Sequence, residues 1–224
     1  MRRTSDEPSP APSGNDHSRR RFLALSSLFA ASVVLRAQAT KGDGGLAPIL
    51  PKEDPGRSTP IKPAGSRSLR AFGRHCTACQ LCVSACPNQV LKPSKSMRNR
   101  MQPEMSFERG YCRPECTRCA DVCPTGAIHH ITTAEKSAIQ IGHAVLNPAL
   151  CIVNRDQVHC NNCARHCAPG AIRMVPRNPG DPGSLKIPMI DTERCIGCGA
   201  CEFLCPSRPK SAIHVEGHET HRIV

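Results

Sequence analysis

Short apolar runs alternate with polar, cysteine-bearing loops in the chain from Phe72 onward. Apolar residues follow three of these loops, at positions 127–128, 171–172 and 212–215, and precede two of them, at positions 144–146 and 188–190. Short apolar runs bounded by Pro and Gly predict strands. Residues 78–85 predict a short helix that Pro87 ends. The pattern therefore predicts a loop-rich α+β fold whose repeated unit is strand, cysteine loop, short helix and strand.

A different hydrophobic pattern marks the first 39 residues. The apolar run Phe22–Leu35 follows three consecutive arginines, Arg19–Arg21, and is too short to span a bilayer comfortably. Ala37-Gln38-Ala39 then offers a small-residue cleavage site. A twin arginine before such a run resembles the signals that export folded, cofactor-loaded proteins. We therefore predict a twin-arginine signal peptide at residues 1–39 and a periplasmic, membrane-peripheral protein, with an uncleaved N-terminal anchor as the alternative.

Residues 40–70 are rich in Pro and Gly and lack hydrophobic periodicity, which predicts a tether. The folded region is then expected at residues 71–224. Residues 92–109 lie between the repeats, are polar and carry three methionines. A plain linker is the simpler interpretation of this segment, and a partner-facing surface is the other.

All sixteen cysteines fall into four groups of related spacing. The groups are Cys76, Cys79, Cys82 and Cys86; Cys112, Cys116, Cys119 and Cys123; Cys151, Cys160, Cys163 and Cys167; and Cys195, Cys198, Cys201 and Cys205. The first and fourth groups have the spacing C-x2-C-x2-C-x3-C-P that wraps a [4Fe–4S] cluster in bacterial ferredoxins, and the other two are looser copies. We therefore predict that all sixteen thiolates bind four [4Fe–4S] clusters, held by tandem bacterial ferredoxin-like domains that form two pseudo-symmetric two-cluster units.

Two other interpretations of the cysteines belong to a different class of protein. An even number of cysteines in an exported chain also fits a disulfide framework, and C-x2-C pairs also suit structural zinc. Disulfide bonding does not require a Pro after the fourth cysteine of a group. Zinc sites of this kind usually take two separate cysteine pairs rather than three or four crowded cysteines. A structural zinc or disulfide protein therefore remains the different-class alternative.

The composition indicates how the fold is stabilised. The chain has no Trp, one Tyr and five Phe among 224 residues. Aromatic side chains usually dominate buried area, so we expect the clusters to take the place of much of the core. Because metal binding and folding are then coupled, we expect the iron-free protein to be largely unfolded.

The formal net charge of +12 would suit a nucleic-acid partner. Loss of residues 1–39, which hold six Arg and three acidic residues, lowers the charge to about +9, and four oxidised clusters at −2 each bring it to roughly +1. No basic run interleaved with aromatic residues is present, so we predict no nucleic-acid binding. There is also no phosphate loop, dinucleotide motif or G-x-S-x-G element. We expect an electron-transfer component with no catalytic residues of its own.

The twin-arginine leader, the Pro-rich segment with Ile61-Lys-Pro-Ala-Gly65 and the four cysteine groups resemble the exported ferredoxin-type proteins of the MauM/NapG group, over roughly residues 15–215. The resemblance implies a protein at the outer face of the cytoplasmic membrane. It also implies electron transfer from an integral membrane polyferredoxin or quinol-oxidising subunit to a periplasmic reductase or cytochrome. The spacing of the second group and the tail after Ser207 depart from the nitrate-pathway members.

The chain is also similar to the four-cluster electron-transfer subunits of molybdopterin oxidoreductases. That resemblance implies an outer pair of clusters from the groups at 76–86 and 195–205 and an inner pair from the groups at 112–123 and 151–167. Cys205 would complete the set of the first group, Cys86 that of the fourth, Cys167 that of the second and Cys123 that of the third. Sequential pairing of neighbouring groups satisfies the same fourth-ligand rule and stays open. A subunit of a larger reductase complex and a cluster-carrying assembly factor are the alternatives to an electron relay.

Overall fold

Short elements build the body of the protein, with turns and loops between them. The computed structural model describes residues 50–99, 101–181 and 183–224. The helices are α1 Leu69–His75, α2 Leu81–Ser84, α3 Arg118–Asp121, α4 Thr133–Ala138, α5 Ile152–Arg155, α6 Asn162–Arg165 and α7 Ala200–Phe203, with 3-10 turns at Met97–Asn99 and Pro148–Leu150. The strands are β1 Leu91–Pro93, β2 Pro103–Met105, β3 Ile139–Leu146, β4 Ile172–Pro176, β5 Lys186–Ile190 and β6 Ile213–Ile223. The predicted mixture of helix and strand in a loop-rich chain is confirmed.

The strands form three antiparallel pairs, β1 with β2, β3 with β6, and β4 with β5. The β3–β6 pair is the longest; it places Ala144 opposite Val215 and contains an irregularity between Gln140 and Gly142. Strands follow the third and fourth cysteine groups as predicted, and β1 follows the first, but residues 124–128 after the second group form turns and bends rather than the predicted strand. The segment at 92–109 is the β1–β2 hairpin rather than a plain linker, since it buries Met105 and Phe107.

Two apolar cores lie within the compact unit Pro51–Val224. The first gathers around Phe72, Phe107 and Ile128, and the second around Val153 and Ile172. Strands β3 and β6 contribute residues to both cores, so their sheet connects the two. Cysteines belong to both cores, which agrees with the small supply of aromatic residues.

A capping box and two left-handed residues explain where two of the helices begin. Thr132 caps α4 through a capping box, in which its hydroxyl accepts from the Glu135 N–H and the Glu135 carboxylate accepts from the Thr132 N–H. The helix predicted at residues 78–85 begins only at Leu81. Ala78 and Gln80 have positive φ values of 56° and 64°, a left-handed conformation that a right-handed helix does not contain.

The tether predicted at residues 40–70 is wrong for the part that the structure describes. Residues 51–68, which we call the strap, pack against the body of the protein, and Ile61 is fully buried. The Met105 N–H donates to the Ile61 carbonyl at 2.9 Å, and the His129 N–H donates to the Gly65 carbonyl at 3.0 Å. The folded unit therefore begins near residue 51 rather than at residue 71. Residues 40–49 and the predicted signal peptide at residues 1–39 lie outside the described residues.

A buried ion pair fixes the strap to the β6 side of the body. The Arg57 guanidinium pairs with the Glu202 carboxylate, and both side chains are almost completely buried. Arg57 also donates to the Val215 carbonyl at 2.8 Å, and Glu202 accepts from the Val215 N–H at 2.8 Å. Because each charge has a partner and further hydrogen bonds, burial of the pair is tolerated.

Replacing Arg57 with Ala is expected to lower the free energy of unfolding by about 3–5 kcal/mol, because the buried Glu202 carboxylate loses its cationic partner. Denaturant unfolding of the iron-loaded protein, followed by far-UV circular dichroism, measures the change. Arg155→Ala is the matched control, since Arg155 pairs with Asp156 on the surface and should change stability little. Equal effects of the two substitutions would contradict a structural role for the strap.

Candidate metal centres

Each cysteine group places its thiols through a loop followed by a short helix. In the first group Cys76 directly follows α1, Cys79 lies in the left-handed loop, and Cys82 lies in α2. Cys86 follows the end of that helix and is carried away from the other three. The structure thereby assembles four sets of cysteines, each combining three from one group with the last of another.

Site 1 combines the first three cysteines of the first group with the last of the second. Cys76, Cys79, Cys82 and Cys123 line one cavity, together with Phe72, Leu81 and Ile128. Burial raises the pKa of Cys82 to about 11, and the neighbouring thiols of Cys76, Cys123 and Cys79 add to the rise. Burial also opposes ionisation of Cys123, but backbone N–H groups, led by that of Ile128 at 3.4 Å from the sulfur, lower its pKa below the usual value.

Site 2 combines the other members of these two groups. Cys86, Cys112, Cys116 and Cys119 line a second cavity, together with Leu91, Met105 and Lys136. Burial raises the pKa of Cys119 to about 12. Burial also raises the pKa of Cys112; the Lys136 ammonium opposes this rise, and the thiols of Cys116 and Cys86 add to it.

Sites 3 and 4 repeat this exchange between the third and fourth groups. Site 3 consists of Cys151, Cys160, Cys163 and Cys205, and site 4 of Cys167, Cys195, Cys198 and Cys201. Burial raises the pKa of Cys163 to about 12, and the thiols of Cys160, Cys205 and Cys151 add to the rise. Burial likewise raises the pKa of Cys198 to about 12, with added contributions from Cys195 and Cys167.

The nested pairing expected from the molybdopterin-type subunits is not what the structure shows. Cys123, rather than Cys205, lies with Cys76, Cys79 and Cys82. Cys205 lies instead with the third group, where its sulfur accepts a hydrogen bond from the Ala212 N–H at 3.3 Å. The pairing is therefore sequential: the first group exchanges its last cysteine with the second, and the third group exchanges with the fourth. Short chain separations explain this result, because neighbouring groups close the smaller loops.

The donor sets fit iron–sulfur clusters better than the two alternatives. All sixteen cysteines lie in the described part of the chain, and none forms a disulfide bond. Among the described residues, no three His, Cys, Asp or Glu side chains converge closely enough to bind a single metal ion. Four thiols around one small cavity suit a four-iron cube with one thiolate at each corner. Buried thiols with raised pKa values also need a bound cationic group to ionise.

The four sites lie in the order 1, 2, 4, 3. Site 1 adjoins site 2. Burial is the main cause of the raised pKa of Cys119 in site 2, and the thiol of Cys82 in site 1 is close enough to add to the rise. Site 2 adjoins site 4, because the Cys112 N–H donates to the Cys198 carbonyl at 2.9 Å. Site 4 adjoins site 3, where the thiol of Cys163 adds to the burial that raises the pKa of Cys201. The order in space thus differs from the order of the groups along the chain.

Four polar side chains that are partly or fully buried near the sites were not identified from the sequence. Lys52, Lys62, Lys136 and Gln140 donate hydrogen bonds to backbone carbonyls, several of them in the cysteine loops. Burial lowers the pKa of Lys52 to about 8, and it lowers the pKa of Lys62 as well. No local sequence signal distinguishes these side chains from exposed ones, because their partners lie far away in the chain.

Two stretches of the chain, residues 75–127 and 158–208, match the family model of the 4Fe-4S dicluster domain. The first stretch contains the whole of the first two cysteine groups, and the second contains the fourth group and three cysteines of the third. Each dicluster domain therefore spans neighbouring groups, as the sequential pairing requires.

The chain is similar to ferredoxin-type proteins along most of its length. It is 30% identical to the ferredoxin-type protein NapF of Escherichia coli K12 over 162 residues, which cover 72% of this chain and 89% of NapF. It is 32% identical to the methylamine utilization ferredoxin-type protein MauM of Methylobacillus flagellatus over 66% of this chain, and it spans 64% of that MauM. The ferredoxin-type protein NapG of Haemophilus influenzae is 28% identical over 75% of this chain and 65% of its own length.

The solved structure of a formate dehydrogenase, heterodisulfide reductase and formylmethanofuran dehydrogenase complex from Methanospirillum hungatei also matches, with 19% identity and a TM-score of 0.25 over 66% of this chain and 52% of that chain. That similarity is too low to support an argument about the fold. The dicluster domains and the identity to NapF are sufficient by themselves to assign the chain to a family. The chain belongs to the ferredoxin-type iron–sulfur proteins that include MauM, NapF and NapG.

Proposed function

We propose that this chain holds four [4Fe–4S] clusters and relays electrons in the periplasm, from a quinol-linked membrane partner to a soluble reductase or cytochrome. Membership of the ferredoxin-type proteins establishes electron transfer as the general role. The observation that carries the proposal is the unbroken row of four cysteine sets, in which every set adjoins the next. A protein that only stores or delivers a cluster does not need four adjoining sites.

The residues of this chain have three roles in such a relay. Iron–sulfur clusters supply one-electron uptake and release, and the sixteen thiolates would hold them. The Ile128 and Ala212 N–H groups donate to the sulfur atoms of Cys123 and Cys205, which stabilises negative charge there. Phe72, Leu91 and Met105 line the cavities of sites 1 and 2 and limit the access of water.

The end of the row at site 1 is open enough for a redox partner to approach. Cys79 is the one exposed member of the sixteen cysteines. Leu81, two residues further along the chain, is 47% exposed, and Met101, whose carbonyl accepts from the Gln80 side chain, is 60% exposed. Exposed apolar side chains beside a redox site are typical of a contact surface, which favours transfer at this end.

The proposed partners and location follow from the family resemblance and the leader sequence. An integral membrane polyferredoxin or a quinol-oxidising subunit would donate electrons, and a periplasmic reductase or cytochrome would accept them. The twin arginine within Arg19–Arg21 supports export of the folded protein to the periplasm. No helix within the described residues is long and apolar enough to cross a membrane.

Metal analysis tests the cofactor content. Protein purified without oxygen is expected to contain about sixteen iron atoms and about sixteen acid-labile sulfides per chain, because sixteen thiolates make four four-ligand sets. Electron paramagnetic resonance of the reduced protein should show signals broadened by interaction between neighbouring clusters. About eight of each would mean that half of the cysteine sets serve another purpose, and zinc in their place would reject the proposal.

Paired cysteine substitutions test which thiols share a site. Cys76→Ala with Cys123→Ala removes two ligands from site 1, so about four of the sixteen irons should be lost. Cys76→Ala with Cys205→Ala is the matched control and should perturb two clusters, one at site 1 and one at site 3. Iron content and the reduced-state resonance spectrum distinguish the two variants. The opposite result would support nested pairing.

Replacing Arg20 and Arg21 with Lys removes both arginine pairs in Arg19–Arg21 and is expected to abolish export, since the twin-arginine route reads such a pair. Fractionation of the native host followed by immunoblotting measures the periplasmic share of the protein. Arg2→Lys with Arg3→Lys is the matched control, because those arginines do not precede the apolar run. Unchanged periplasmic protein after the Arg20 and Arg21 substitutions would contradict the proposed location.

A further inference from the structure

Sites 2 and 4 meet where the two dicluster domains come into contact. The Cys112 N–H of site 2 donates to the Cys198 carbonyl of site 4 at 2.9 Å. Gly199, at the start of α7, lies so close to the Phe107 ring that an added Cβ would come within 2.2 Å of it. This junction therefore offers an electron a direct route between the dicluster domains.

A buried lysine lies at the site 2 side of the junction. Lys136 is 6% exposed and lines the same cavity as the site 2 cysteines. Its ammonium donates to the Arg113 carbonyl at 2.6 Å and, in a still closer contact, to the Cys116 carbonyl. The side chain thus fixes the loop that carries two of the ligands and also brings a positive charge to them.

A buried glutamine, Gln140, lies at the site 4 side of the junction. Gln140 is 2% exposed, and its side-chain amide donates to the Thr192 and Cys195 carbonyls, both at 2.6 Å. It therefore fixes the loop at the start of the fourth cysteine group as Lys136 fixes that of the second. The two residues differ in one respect, because the amide of Gln140 has no charge.

We propose that Lys136 and Gln140 set the direction of electron transfer at the junction: the charge of Lys136 makes site 2 easier to reduce, and the neutral Gln140 leaves site 4 harder to reduce. Reduction adds negative charge to a cluster, so a cation buried beside it stabilises the reduced form. The effect is strong because neither side chain is exposed to water that would screen it. Electrons would then move from site 4 to site 2 and on towards the exposed end at site 1.

The other charged groups near the two sites do not cancel this difference in ease of reduction. Arg118 adds a second positive charge at the cavity of site 2. At site 4, Glu202 follows Cys201, but its charge is offset by the ion pair with Arg57. Lys52 donates to the Phe203 and Cys205 carbonyls at the end of α7, so its ammonium lies near Cys205 of site 3 and also acts on Cys201 of site 4. Its charge is only half-buried and is therefore screened more than that of Lys136.

The inference rests on the proposed four-cluster relay, and its test is a set of charge exchanges in the iron-loaded protein. The variants are Lys136→Gln, Gln140→Lys and the double exchange, with Lys136→Arg retaining the charge. Gln is a suitable replacement at position 136 because Gln140 shows that this amide satisfies two loop carbonyls. Iron and sulfide content are measured first, and midpoint potentials are then obtained by redox titration followed by electron paramagnetic resonance.

In Lys136→Gln the midpoint potential of one centre should fall, while Lys136→Arg leaves it near its original value. In Gln140→Lys the potential of a different centre should rise, and the double exchange should show both shifts. Lys186→Gln is the control for simple loss of charge, since Lys186 is exposed at the start of β5, and it should move no potential.

Full iron and sulfide content with potentials unchanged in both single exchanges would overturn the inference, and so would a shift of the same centre in both. If Lys136→Gln loses iron, the Gln140→Lys result alone decides. A wild-type protein that lacks four clusters would instead reject the proposed function.

Discussion

The need to neutralise buried thiolates is the constraint on which the rest of this structure depends. Burial raises the pKa of one cysteine after another, and neighbouring thiols within each set add to the rise. Several buried thiols of this kind cannot ionise together without bound cationic groups. The fold therefore brings the cysteines together in fours, and the apolar residues are arranged around those sets. This explains how a chain without tryptophan forms two cores.

The strap adds buried apolar residues on the N-terminal side of the body. It has no helix or long strand of its own before α1, yet Ile61, Pro63 and Ala64 are buried. Its contacts reach from the β1–β2 hairpin in the first dicluster domain to α7 and β6 beside the fourth cysteine group. The strap thus connects elements that are far apart in sequence, which a short hairpin alone cannot do.

The sequence predicted the iron–sulfur family of the protein correctly, but it predicted the assembly of the cysteine sets less well. Spacing alone identified the cysteine groups, because a cluster loop needs its thiols at fixed separations along one short segment. It did not determine which group receives the last cysteine of another, since that depends on how the groups pack. Pro and Gly made the strap resemble a tether, because its burial comes from partners such as Glu202 and Met105 in other parts of the chain. The sequence did not identify Lys136 and Gln140 either, because their hydrogen-bond partners also lie in other parts of the chain.

The four-residue separation of Lys136 and Gln140 also has a mechanical consequence. The Lys136 side chain binds a loop of site 2, and the Gln140 side chain binds a loop of site 4. The three residues between them join the end of α4 directly to the start of β3. Four residues of chain span at most about 14 Å even when fully extended. Thermal motion of the two dicluster domains therefore cannot separate these anchoring points beyond a covalent limit. An insertion between α4 and β3 would remove that limit while leaving every cysteine ligand in the chain.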